Sequence, residues 1–351
     1  MTDSCPDVGR PIPVAQFDYD LPPELIAQAP IEPRDASRLL VIDRTAGRLH
    51  DRQFRDLPQF LTHGDLIVVN DTRVFPARLA AVRGTGGGVE LLLLRPICDT
   101  TWLAMARPGR RLREGERLLV LDRHGEQVTS SVTIERRQGG QFVVSLESDT
   151  IEQFGRIPLP PYIRTAICDP SRYQTVYADE QGSAAAPTAG MHFTTELMDA
   201  CVAAGATFAR VTLHVGLDTF QPLKTDDARK HHMHSEWFRI SEPDDIRSAK
   251  AGGRRVIAIG TTSVRTLESA AERILDDRAS TPIDGFTNLF ITPGYSFNVV
   301  DAMVTNFHLP RTTLMLLVSA FAGHGLIREA YEHAIRERYR FFSFGDAMLI
   351  V

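Results

Sequence analysis

Cysteine is scarce in this chain: 351 residues contain four, at Cys5, Cys98, Cys168 and Cys201, and no two form a C-x-x-C pair. That spacing signals neither a disulfide framework nor a cysteine zinc site, and a reducing cytoplasm is the expected location. Long apolar runs are also missing. TLMLLVSAFAG at 313–323 is the longest, about half of the roughly 20 residues that a membrane helix needs. It reads as a buried helix, and no membrane partner is expected. The opening MTDSCPDVGRPIPV has acids and prolines where a secretory signal would carry a basic and then an apolar stretch. There is no excess of positive charge, the net value being −5. A protein coated in basic residues is thereby excluded, although a local basic face could still hold RNA. No internal repeat and no low-complexity tract interrupts a composition typical of soluble globular proteins.

The length suffices for a sizeable core and predicts two domains. From about Ala77 to Pro158 the runs VELLLL (89–94), TWLAMA (101–106), RLLVL (117–121), QVTSSVTIE (127–135) and QFVVSLE (141–147) alternate with glycine or charged turns. Short strands so spaced predict a small antiparallel β-barrel or sandwich. On either side, strand-like LLVI (39–42), DLIVVN (65–70), FARVTLHV (208–215) and RRVIAIG (254–260) alternate with helical patterns at 194–205, 262–275 and 326–339. In the last of these Leu326, Ile327, Ala330, Tyr331, Ala334, Ile335 and Tyr339 form one apolar stripe. The expected fold class is therefore α/β, with a discontinuous α/β layered main domain (1–76 and 159–351) and an inserted small antiparallel β-barrel domain (77–158).

Five stretches could carry chemistry. GSAAAPTAGMHF at 182–193 is nearly featureless, rich in alanine and glycine, broken by Pro187 and closed by His192. In VIAIGTTSVRTLES (256–269) a strand ends at Gly260 and a helix opens through Thr261, Thr262 and Ser263. The unpaired N–H groups of that helix start, its hydroxyls and Arg265 could hold a carboxylate, ribose or phosphate, or the stretch could simply be a capped helix. His192, His214, His231, His232, His234 and His308 show no H-E-x-x-H or similar short-range pair. An acid, base or orienting role for one or two of them is preferred over a metal site, while any single one reads first as a hydrogen-bonded structural histidine. VVNDTRVFPAR (68–78) places polar residues at the end of a buried strand, where Asp71 could accept from a guanine-like edge or merely make a turn. ERYRFFSFGDAMLIV (337–351) interleaves Arg338 and Arg340 with phenylalanines, which could stack bases or belong to the core.

Taken together, the chain resembles the S-adenosylmethionine:tRNA ribosyltransferase-isomerase family of queuosine biosynthesis. The resemblance is carried by FDYDLPPELIAQAPIEPRDASRLLV, FRDLPQFLTHGDLIVVNDTRVFPARL, YQTVYADEQGSAAAPTAGMHFT, LHVGLDTFQPL, HMHSEWFRIS, VIAIGTTSVRTLES, DAMVTNFHLPRTTLMLLVSAFAG and YRFFSFGDAMLI. These blocks cover nearly the whole chain. Asp218 stands where a glycine is expected, and Met191 where a leucine is.

The resemblance implies transfer of the ribosyl part of S-adenosylmethionine to 7-aminomethyl-7-deazaguanine (preQ1) at the tRNA wobble position, yielding epoxyqueuosine-tRNA, adenine and methionine. S-Adenosylmethionine is then a consumed co-substrate; no retained cofactor and no metal are expected, and the partners are preQ1-bearing tRNA and the donor. Small residues would let the loop Pro187, Thr188, Ala189 and Gly190 approach the donor closely, together with Gly260, Thr261, Thr262, Ser263 and Arg265, with Arg265 or the helix start taking its carboxylate. His192 is the first candidate acid or base, followed by His214 and His308. Asp71, with Thr72, Arg73, Arg78, Arg338 and Arg340, would meet the deazaguanine and the tRNA. A monomer is expected. The competing readings are a metal-dependent hydrolase built on the histidines, a non-catalytic tRNA-binding protein, and a methyltransferase, the last lacking an early glycine-rich strand-to-helix turn.

Overall fold

The computed structural model describes residues 11–351 apart from 123, 148, 166–168, 217–221, 234 and 277–281. Cys5, Cys168, Asp218 and His234 lie outside the described residues. In chain order the strands are β1 (Arg38–Asp43), β2 (Arg48–Gln53), β3 (Leu66–Asn70), β4 (Thr72–Val74), β5 (Arg78–Arg83), β6 (Gly88–Cys98), β7 (Thr101–Arg107), β8 (Arg117–Leu121) and β9 (Gln127–Gln138). Then follow β10 (Gln141–Leu146), β11 (Glu180–Ser183), β12 (Thr207–Leu213), β13 (Glu236–Ile240), β14 (Val256–Ile259), β15 (Ile283–Thr287), β16 (Ala302–Asn306) and β17 (Ala347–Ile350). The α-helices are α1 (Thr150–Phe154), α2 (Thr195–Ala203), α3 (Pro243–Ala251), α4 (Thr261–Ser269), α5 (Ala271–Leu275), α6 (Thr313–Ala322) and α7 (His324–Arg336).

The chain forms two compact units, one of residues 1–72, 161–180 and 187–351, the other of residues 73–160 and 181–186. The first contains a nine-stranded mixed sheet in the order β15-β13-β12-β3-β14-β16-β17-β1-β2. Every residue of β3, β14, β16 and β17 is buried, the pattern of strands covered on both faces. Alternate residues Leu39, Val41, Ile67, Val69, Ile257 and Val304 face one core cluster, where they meet Phe54, Phe193 and Leu197.

Local sequence explains the helices of this unit. Thr194 caps α2 by accepting from the Leu197 N–H at 3.1 Å, and Thr312 caps α6 through Met315. The apolar stripe of α7 buries Ile327, Ala330, Tyr331 and Ala334. The tail aromatics Phe341, Phe342 and Phe344 are buried too, so they serve the core.

The second unit is a closed six-stranded barrel in the order β10-β7-β6-β5-β8-β9, antiparallel throughout. Leu79, Ala81, Val89, Leu91, Leu118 and Val120 are buried at alternate positions along their strands, as a filled small barrel requires. Strand β5 has no counterpart among the expected runs, because RLAAVR is short and rich in alanine. The expected fold class stands: an α/β main body with an antiparallel barrel.

Candidate active site

Strands β12, β3, β14 and β16 are parallel neighbours, so their carboxyl ends share one edge of the sheet. Strand β17 runs antiparallel to β16 and parallel to β1, which brings the amino ends of both to the same edge. Along that edge stand His214 after β12, Asp71 after β3, Gly260 after β14, Asn306 at the end of β16, and Ser37 before β1. Open α/β sheets bind ligands outside the carboxyl ends of their strands.

Residues Thr188–His192 form a 3-10 turn at this edge, four of them buried. The Thr188 hydroxyl donates to Asn306 Oδ1 at 2.9 Å. Asn306 Nδ2 lies 3.3 Å from the Phe342 carbonyl and 3.0 Å from His192 Nε2. Because that carbonyl can only accept, the amide nitrogen must face it, and Nε2 is therefore the acceptor of the second bond. The imidazole proton then sits on Nδ1 and is donated to Ser37 Oγ at 2.7 Å. The ring stacks on Phe54 with centroids 4.8 Å apart. Burial, helped by the charges of Arg340 and Arg34, pulls the His192 pKa down to about 3, so the ring is neutral near pH 7.

Two positions at this edge call for glycine, Gly190 by close approach and Gly260 by its backbone angle. A Cβ on Gly190 would fall 1.9 Å from the Tyr177 hydroxyl. Gly260 has φ +87°, a value that favours glycine, and a Cβ there would sit 3.5 Å from that of Ala189. The small-residue turn therefore lies against the start of α4, a helix end that no side chain caps. A side chain at residue 190 would collide with Tyr177, and the Ala189 methyl already faces Gly260, so this part of the turn is kept small.

A cleft opens beside His192, lined also by Pro30, Ile31, Arg34, Arg172 and Phe344. Arg34 Nη1 donates to the carbonyls of Gln174 at 2.6 Å and Met191 at 3.4 Å, and Nη2 to that of Ser171 at 3.0 Å. Arg172 donates to the Ile31 carbonyl and pairs with Glu32, both at 2.8 Å.

The remaining expected site residues divide into groups. Thr261 and Thr262 are buried at the start of α4, and the Thr262 hydroxyl has no partner among the described residues. The Ser263 hydroxyl turns back and donates to the Ile259 carbonyl at 2.8 Å. Arg265, expected as one of two groups for a ligand carboxylate beside the helix start, is ion-paired with Glu236 and donates to the Leu289 carbonyl at 3.1 Å; among the described residues only its Nη2 is unpartnered. Its charge is already balanced inside the fold.

His214 bonds to Thr72 Oγ1 at 2.8 Å and stacks on Trp237, and burial lowers its pKa to about 4. His308 bonds to Thr305 Oγ1 at 2.9 Å, and burial lowers it to about 3. Neighbours in a strand point to opposite faces, so His308, held by Thr305, lies across the sheet from His192, held by Asn306. Asp71 is buried, accepts from Thr212 Oγ1 at 2.7 Å, and has its carboxyl pKa raised by burial. Arg73 and Arg78 belong to the second unit; Arg73 is exposed, and Arg78 donates to the Leu159 carbonyl at 3.2 Å. Arg338 is exposed, and Arg340 donates to the Ala29 carbonyl.

Sequence reasoning passed over Ser37, Asn306, Arg34 and Arg172. Asn306 carried a usable signal, being a polar residue that ends a buried strand as Asn70 does. Arg34 and Arg172 sit in short 3-10 turns and Ser37 just after one, and nothing local says what they will face. Among the described residues no group of three or more His, Cys, Asp and Glu could hold a metal ion, and no helix is long and apolar enough to cross a membrane.

Fold and site define an α/β protein that carries its polar machinery at the carboxyl edge of a mixed sheet and holds a closed barrel as a second unit. More particularly, the chain belongs to the queuosine biosynthesis protein family, whose model matches residues 14–350. It is 50% identical over 345 residues to the S-adenosylmethionine:tRNA ribosyltransferase-isomerase of Symbiobacterium thermophilum, covering 96% of this chain and 99% of that one. A protein of the same name from Carboxydothermus hydrogenoformans is 50% identical over 341 residues, covering 95% and 98%. The crystal structure of S-adenosylmethionine tRNA ribosyltransferase from Thermotoga maritima is similar, with a TM-score of 0.55 and 36% identity, covering 96% of this chain and all of that one.

Proposed function

We propose that this protein transfers and isomerises the ribosyl moiety of S-adenosylmethionine onto the aminomethyl group of preQ1 at the tRNA wobble position, releasing adenine and methionine. One observation carries the reading: in a chain of this family, the Thr188–His192 turn, the α4 start and the Asn306–His192–Ser37 chain meet at one sheet edge.

The donor's own chemistry sets the task. The sulfonium acidifies the C5′ proton, so a base forms an ylide that expels the ring oxygen. Collapse at C1′ releases adenine. The preQ1 amine adds to C4′ of the resulting vinyl sulfonium, and the regenerated ylide closes on the C1′ aldehyde. The alkoxide so formed displaces methionine and leaves the epoxide. This path needs a proton acceptor, a proton donor near adenine and a water-poor cavity, with no metal and no retained cofactor.

Roles follow from placement. Pro187, Thr188, Ala189 and Gly190 with Gly260, Thr261 and Thr262 form the donor's wall, the Thr262 hydroxyl being available for a ribose or carboxylate oxygen. Ser263 and Arg265 support that wall from within α4. His192 is the acid or base we favour, because it alone of the three candidate histidines lines the cleft; His214 and His308 rank behind it. Asp71 keeps one carboxyl oxygen on Thr212 and offers the other to the deazaguanine edge, with Thr72 beside it. Arg73, Arg78, Arg338 and Arg340 are assigned to the tRNA backbone. The reading is of a monomeric cytoplasmic enzyme. The test mixes the protein with S-adenosylmethionine and preQ1-tRNA and follows adenine and methionine by chromatography. Release of both with preQ1-tRNA but not with unmodified tRNA is expected; an intact donor overturns the reading.

A further inference from the structure

Arg34 and Arg172 are the charged groups of the cleft to which the functional reading gives no task. All three hydrogen bonds of the Arg34 guanidinium run to carbonyl oxygens, and among the described residues no carboxylate lies within ion-pair distance of it. Arg172 has a carboxylate partner in Glu32, but that side chain is 74% exposed, so water screens the pair. The two guanidiniums line one cleft with His192, which is neutral and contributes no countercharge. Burial, and then the repulsion of Arg172, lower the Arg34 pKa, while Glu32 and Asp169 compensate only in part.

Such an arrangement is unfavourable without a further anion, since partly buried like charges are normally avoided or paired. It is also rigid. Three carbonyls from two different turns, 171–174 and 191, fix the plane of the Arg34 guanidinium and leave Nε and the rest of Nη2 as its unused donor edge. A planar, pre-oriented guanidinium with free N–H groups suits a two-oxygen anion. The position beside His192 places that anion next to the machinery assigned above. Arg265, which with the helix start was one of the two groups expected to take a ligand carboxylate, is already paired with Glu236.

We propose that the cleft between Arg34 and Arg172 beside His192 is an oxyanion subsite that takes one carboxylate or phosphodiester group of a substrate. Arg34 supplies the fixed fork and Arg172 the second positive charge. Which substrate supplies the anion rests on the functional reading, with the donor's carboxylate and a tRNA phosphate as the two sources; the charge and shape of the subsite do not.

Calorimetry on the intact protein separates them without requiring turnover. Arg34→Gln should weaken either S-adenosylmethionine or preQ1-tRNA by about tenfold or more, the loss expected for a charge-assisted bond. Arg34→Lys, which keeps charge and loses the fork, should fall between. If the donor carboxylate is the anion, decarboxylated S-adenosylmethionine binds wild type and Arg34→Gln alike. If a phosphate is, donor affinity is unchanged and the slope of log affinity for tRNA against log salt flattens by about one. Arg172→Gln, which gives up one carbonyl contact and the solvent-screened pair with Glu32, carries the same test should Arg34→Gln fail to fold, with a smaller loss for the same ligand. Wild-type affinity for both ligands in folded variants overturns the proposal. A wild-type protein that binds neither ligand overturns the functional reading instead; inorganic phosphate is then the probe, and its failure to bind, or equal binding by Arg34→Gln, overturns the subsite as well.

Discussion

Asn306 donates from Nδ2 to His192 Nε2 at 3.0 Å, and this bond decides which imidazole nitrogen carries the proton. Asn306→Ala leaves that nitrogen buried without a partner, a loss of about 1–3 kcal/mol in stability. Asn306→Asp replaces the donor by an acceptor, which favours a proton on Nε2 and raises the His192 pKa from about 3. Nitrogen NMR of the labelled imidazole reads both the tautomer and the titration. An unchanged tautomer in Asn306→Asp would contradict the assignment.

His192→Ala should fold, because Phe54 and the surrounding core persist, yet lose at least a hundredfold in adenine release, the usual scale of an acid–base contribution. Single-turnover adenine formation at saturating donor checks it. Turnover at the wild-type rate would remove His192 from proton transfer.

Gly190→Ala should be strongly destabilising, since the new Cβ would meet the Tyr177 hydroxyl at 1.9 Å. Adding Tyr177→Phe should recover only part of the loss, because Tyr177 Cζ and Thr175 Cγ2 each remain at 2.9 Å. Tyr177→Phe alone removes a buried hydroxyl that has no partner among the described residues, so its stability change should stay within about 0.5 kcal/mol. Thermal melts of the three variants decide the order.

Arg265 and Glu236 form a buried pair with side chains 3% and 6% exposed. Glu236→Gln strands the guanidinium in the interior and should cost about 3–5 kcal/mol. The double variant Arg265→Met with Glu236→Gln should be more stable than Glu236→Gln alone. A double-mutant cycle in denaturant measures the coupling, and purely additive losses would show that the pair is not coupled.

Stability should fall with acid through the buried imidazoles. His192, His308 and His214 have folded pKa values of about 3, 3 and 4 against an ordinary 6.5. Below pH 6.5 the unfolded chain takes up protons that the folded chain refuses, so the stability present above that pH is lost as pH falls toward 4. Asp71 and Asp346, raised by burial, act with the opposite sign around their own titration. The melting temperature should drop between pH 7 and 5, and less steeply in His308→Gln. Parallel curves for that variant and wild type would count against the burial of His308.

Much was legible in the sequence because it depends on nearest neighbours. The apolar runs at 67–69 and 256–259 announce covered strands, the stripe on α7 announces its buried face, and the short alternating runs of 89–146 announce the barrel. The long blocks shared with a known family carry the membership of the chain in their order alone. Ser263 and Arg265 show where local reading stops: a hydroxyl and a guanidinium at a helix start look outward in sequence, and only the packed fold shows one bonded to Ile259 and the other to Glu236. Likewise Ser37, His192 and Asn306 are separated by more than a hundred residues at each step, and the start of β1 meets the end of β16 because β17 lies between them, antiparallel to β16 and parallel to β1. Period, turn chemistry and motif are properties of a few consecutive residues, so the sequence by itself determined the elements and the family. Which polar groups face one another depends on strand order and register over the whole sheet, and that was decided only by the tertiary structure.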